Sequence, residues 1–145
     1  MQAFLILLAL GAGVAMTVQV GINAALQAGW ARHPLLAALV SFAVGTLSLA
    51  IAVGVFRIPI PAPHRVPWWQ WTGGMLGAFL VTTVVYAAPR LGATALLALG
   101  LAGQMVAAVI LDHYGLLGYA EKPVNAMRLL GLVLMAAGVW CIRRY

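Results

Sequence analysis

Three amides recur at four-residue spacing in the first apolar stretch of the chain: Gln19, Asn23 and Gln27. That spacing puts them on one face of a helix. An amide offers both a donor and an acceptor, so a row of them suits recognition of a solute. Gln104 is the single amide of a later stretch, and Ser41 and Tyr86 add hydroxyls at other apolar positions. Gln19, Asn23, Ser41, Gln104 and Tyr86 are therefore the candidate lining of a substrate path, with Gln27 nearer an edge. Asp112, followed by His113, is the one carboxylate beside an apolar run. The pair reads as a proton relay at a mouth or as a helix-terminal salt bridge, and its edge position favours the salt bridge. No Asp, Glu, Lys or Arg stands at the centre of any apolar run, and His33, His64 and His113 are all at run edges. There is no Ser-His-Asp set, HExxH, phosphate-binding glycine loop or carboxylate pair. Cys141 is alone, which leaves no disulfide within the chain and no cysteine metal site. Neither enzymatic chemistry nor a cofactor or metal is expected. The polar inventory suits a neutral or zwitterionic solute, or an anion held by amides and hydroxyls.

Such residues must be carried by membrane helices. The 145 residues are 65% hydrophobic and 7% charged, with a mean hydropathy of +1.06. Soluble domains carry about 25% charged residues, so this chain lacks the polar groups to cover a water-facing surface. The net charge of +6 comes from eight singly scattered Lys and Arg, which form no patch for a nucleic-acid backbone. A span of the bilayer core takes about 20 apolar residues. The apolar runs predict five transmembrane helices, near 3–29, 35–56, 68–88, 91–111 and 126–142, in a single domain over 1–145. Met1–Leu10 has no basic residue ahead of it, so the first run reads as a span and not as a signal peptide. Arg57–Pro67 carries four prolines and predicts a stiff extended loop, and Pro89 with Arg90 closes the third run. Short turns after the first and third runs predict two antiparallel hairpins. Trp68, Trp69 and Trp71 are placed to anchor at headgroup depth.

Five helices put the chain ends on opposite sides of the bilayer. Arg57, Arg65, Lys122 and Arg128 fall on one side; Arg32, Arg90, Arg143 and Arg144 fall on the other. Four against four gives no bias to fix an orientation. Both orientations, and pairing of two copies head to tail, follow as an expectation. Gly21 with Ala25, Gly73 with Gly77, and Gly103 are small residues at spacings that let helices approach closely, within the chain or in a dimer.

The chain resembles the YdcZ family, small five-helix bacterial proteins of the drug/metabolite transporter superfamily. The resemblance rests on Gln19-xxx-Asn23-xx-Leu26, Pro34 with Ser41-Phe42-xx-Gly45, and Trp71-xx-Gly74 with Gly77-Ala78. It continues through Pro89-Arg90-Leu91-Gly92, Gly103-Gln104 before Asp112-xx-Gly115, and Arg128-xx-Gly131, which together cover nearly the whole chain. It implies an all-α inner-membrane protein that forms one half of an inverted-repeat transporter fold. The implied partners are the lipid bilayer and a second copy, or a homologous five-helix chain, in antiparallel arrangement. No particular small-molecule substrate is implied.

The function expected is transport of a small solute by a pair of five-helix protomers, with a polar cavity near the bilayer midplane. A dual-topology ion channel and a non-transporting assembly partner of another membrane protein are the alternatives. Turnover separates carrier from channel, and co-purification with a different chain marks the assembly partner.

Overall fold

The computed structural model describes residues 1–61 and 66–145. Residues 62–65, with Pro63, His64 and Arg65 of the expected proline-rich extended segment, therefore lie outside the described residues. The described chain is all helical, with five helices long and apolar enough to cross a membrane. They are α1 (Gln2–Leu26), α2 (Pro34–Val55), α3 (Gly73–Leu91), α4 (Ala93–Tyr114) and α5 (Ala126–Arg144). Large side chains along them stay open in the single chain, for example Leu7 at 67% and Leu49 at 69%. Hydrocarbon surroundings suit such a surface, and water does not. The chain is a multi-pass integral membrane protein.

Contacts divide the chain into two compact units, Met1–Arg90 and Leu91–Tyr145. In the first, α1 continues into a π-helical turn over Gln27–Ala31. Arg32 follows with φ 58°, and its N–H bonds to the Gln27 carbonyl at 2.8 Å. His33 is extended and caps α2, its Nδ1 accepting the Leu35 N–H at 3.3 Å. Pro34 takes the first helical position, where its missing N–H costs no bond and its ring already holds a helical φ. This two-residue turn folds α2 back onto α1. The far end of α2 closes in a Schellman motif: Ile58 N–H bonds to the Val53 carbonyl at 3.0 Å, and Arg57 N–H to Gly54 at 3.1 Å. Arg57 takes the left-handed position there, φ 50°, where glycine is usual.

A 3₁₀ turn over Trp68–Thr72 leads into α3, with Thr72 Oγ1 donating to the Trp69 carbonyl at 2.7 Å. The third helix thus begins with a tighter turn than expected and runs three residues past Ala88. Pro89 does not stop it, because a proline so near the C-terminal end removes a single bond and its φ remains helical. The first unit closes around Ala31, Ala37 and Val85, with Leu26 and Val81 packed against them. Small alanines bring the backbones close enough for Val85 to be fully buried. Further along α3, Gly77 meets the ring of Phe42, which lies 3.3 Å from where a Cβ would stand.

In the second unit, Gly92 precedes α4 at φ 75°, ψ 155°, a conformation suited to glycine alone. Gly115 ends α4 in the left-handed region at φ 59°. Asn125 then caps α5, its side chain accepting the Arg128 N–H at 2.9 Å. The fourth helix spans Ala93–Tyr114 where 91–111 was expected, and α5 runs two residues beyond 142. The αL glycine, not the charge of Asp112, sets the end of α4.

Candidate functional site

The amide row on α1 is divided between two crevices of the first unit. Gln19, Asn23 and Ser41 line a cleft of about 520 Å³ between α1 and α2. Gln19 Nε2 donates to Ser41 Oγ at 3.4 Å, a long bond that ties the two helices at the cleft wall. Asn23 is 4% exposed, the one buried polar residue among the described residues. It also lines, with Gln19, a smaller cavity of about 170 Å³ walled by Val81 and Val84 of α3. An amide in hydrocarbon is costly without partners, so its burial between three helices follows from the need to leave the lipid face. The apolar wall of the cleft comes from residues such as Val14, Val18 and Val44.

Gln27 turns elsewhere. The π turn begins at this residue, and it lines a larger crevice of about 650 Å³ shared with His33, Thr82, Thr83, Tyr86 and Arg90. Its Oε1 is buried with no hydrogen-bond partner among the described residues. Tyr86 is half exposed, and the Arg90 guanidinium lies 3.8 Å from its ring centroid. Arg90 also donates to the Tyr86 carbonyl. The expected aromatic lining residue is therefore engaged with a cation one helical turn away. Arg90, His33 and Gln27 were not singled out as site residues. The i, i+4 spacing of Tyr86 and Arg90 is the signal that was there to read.

Gln104 belongs to the second unit, is exposed on α4, and lines none of the crevices described. Asp112 pairs with Arg128 Nη1 at 3.4 Å, each side chain about 30% exposed. The same Arg128 nitrogen donates to the Lys122 carbonyl at 3.0 Å, and Lys122 N–H bonds to the Asp112 carbonyl at 2.7 Å. His113 Nδ1 accepts the Val124 N–H at 3.2 Å, and its ring meets Tyr114 edge-on at 4.6 Å. In this arrangement both residues clamp the α4–α5 connection. Below the ion pair, a crevice of about 340 Å³ is lined mostly by apolar groups such as Met105 and Met135.

The expected packing residues are placed unevenly. Gly77 makes the contact with Phe42, whereas a Cβ at Gly21, Gly73 or Gly103 would meet nothing within 4 Å, and Ala25 is exposed. Among the described residues, no three His, Cys, Asp or Glu side chains group to hold a metal ion.

No curated protein and no solved structure matches the chain. A family model does, over residues 4–141, and its description is "Putative inner membrane exporter, YdcZ". Since that match takes in all five helices, the loops between them and every polar residue just described, the chain belongs to the YdcZ family, and its work is transport at the inner membrane.

Proposed function

We propose that the chain carries a small solute across the inner membrane as one half of an antiparallel pair, with Gln19, Asn23 and Ser41 on the solute's path. The observation that carries this reading is the burial of the Asn23 amide at the meeting of α1, α2 and α3, beside a cleft whose other polar groups are Gln19 and Ser41. Such a cluster offers donors and acceptors without fixed charge, in reach of a solute that has left water. Transporters built from oppositely oriented halves bind near the midplane and alternate access by rocking. The even division of basic residues between the two sides supports two orientations of one sequence.

Reconstituted flux tests the path. Asn23→Ala is expected to cut counterflow of a transported solute at least tenfold while leaving the oligomer intact on a sizing column. Gln104→Ala is measured beside it, and equal loss would add Gln104 to the path. Unchanged flux in Asn23→Ala removes the site. Orientation is read separately: in a Cys141→Ser background, a single cysteine at Gly118 is expected to react with impermeant maleimide from both faces of the membrane. Labelling from one face only removes the antiparallel pair.

A further inference from the structure

The crevice of about 650 Å³ in the first unit is cationic, and its own unit supplies nothing to neutralise it. Both carboxylate side chains of the protein, Asp112 and Glu121, lie beyond residue 90, so Met1–Arg90 contains no Asp or Glu. Asp112 is already paired with Arg128. Arg90 nevertheless holds a defined place, stacked on Tyr86 at 3.8 Å to the ring centroid. Stacking fixes the plane of the guanidinium and leaves donors on its edge for a planar oxyanion.

Several other lining groups point to the same chemistry. His33 spends Nδ1 on the Leu35 N–H, so its ring proton is on Nε2 and that nitrogen is a donor. Pro34 and Leu35 bring the start of the 22-residue α2 to the crevice, the positive end of its dipole. Thr82 and Thr83 add hydroxyls, while Phe79 and Ala78 give the crevice an apolar wall. Its volume of about 650 Å³ is in the range that encloses a small organic molecule. Gln27, the first residue of a π turn, a local departure often found at working sites, also lines the crevice.

We propose that this crevice binds small organic acids: an apolar body against Phe79 and Ala78, with its carboxylate held by Arg90 and the His33 Nε2–H. The assignment rests on the transport reading only in taking the occupant to be a free solute. A purely structural role exists for Arg90, since a cation in the last turn of α3 also offsets that helix's dipole. That role gives no discrimination between an acid and its amide.

The test uses the intact protein in phosphatidylcholine nanodiscs. Calorimetry compares phenylacetate, benzoate, indole-3-acetate and hexanoate, each with its neutral amide. At least one acid is expected to bind tenfold or more tighter than its amide. Arg90→Gln is expected to erase that preference, and Arg143→Gln, which removes one charge from the second unit, to retain it. Ala78→Phe, which fills the apolar wall, is expected to weaken acid and amide alike. No acid preference in any pair, or a preference that survives Arg90→Gln, overturns the proposal. So does displacement of the acid by equimolar dioctanoyl phosphatidylglycerol, which would make the crevice a lipid-headgroup seat. Arg90-dependent binding without flux overturns the transport reading and spares this one; flux without acid preference does the reverse.

Discussion

The two units manage polarity in opposite ways. Met1–Arg90 has no carboxylate, and amides, hydroxyls and the Arg90 guanidinium line its crevices. Leu91–Tyr145 holds both carboxylates, and one of them is spent at once on Arg128 at the α4–α5 connection. In the first unit the cluster at Asn23 leaves room for a visitor. In the second, Asp112 and Arg128 answer one another, and backbone groups of Lys122 and Val124 complete the knot. Recognition needs polar groups with unmet demand, whereas fastening a connection needs the demand met. The difference separates a unit suited to handling a solute from one suited to holding its own ends together.

The sharpest way to break that contrast is to strip the polar group from each unit in turn. Asn23→Ala is expected to lower flux tenfold or more, equivalent to about 1.4 kcal/mol or more in the transport barrier, with little change in thermal midpoint. Arg128→Ala is expected to do the opposite, lowering the midpoint with flux per folded molecule largely kept. If the effects are exchanged, the division of labour is wrong. Packing gives the next test. Gly77→Leu drives a branched side chain into the Phe42 ring and should cost about 2 kcal/mol of stability, read by detergent unfolding. Gly21→Leu, with open space around it, should leave the monomer's stability within about 0.5 kcal/mol. A double-mutant cycle across Asp112→Asn and Arg128→Gln should return a coupling of about 1 kcal/mol, as suits an ion pair only partly shielded from solvent. The smallest effect is expected from Arg57→Gly. Relieving a left-handed arginine should stabilise α2's end by about 0.5 kcal/mol, visible as slower amide exchange at Ile58.

Helices were the most legible part of the sequence, because apolar runs of 17 residues or more, with charges only at or near their ends, have few other uses. Their ends were less so. Pro89 reads as a stop, yet a proline in the last turn loses one bond and leaves the helix intact. The amides at Gln19 and Asn23 announced themselves by spacing and by the cost of leaving them in lipid. The departure of Gln27 from their company did not, since no residue pattern marks a π turn over Gln27–Ala31. Asp112 and Arg128 are sixteen positions apart. Their pairing depends on where Gly115 and the Asn125 cap direct the intervening loop, which is a property of tertiary structure.

The ion pair at the α4–α5 connection has a consequence for how the protein is made. Asp112 lies in the last turn of α4 and Arg128 in the first turn of α5, so each helix brings one charge of the pair toward the bilayer's edge. Each charge on its own opposes partitioning of its helix, by about 2.5–3.5 kcal/mol for an Arg or Asp placed centrally and less toward the ends. Once joined across 3.4 Å, they enter as a couple with no net charge. These two helices are thus suited to boarding the membrane together, as one hairpin, and removal of either charge would leave the other to enter alone.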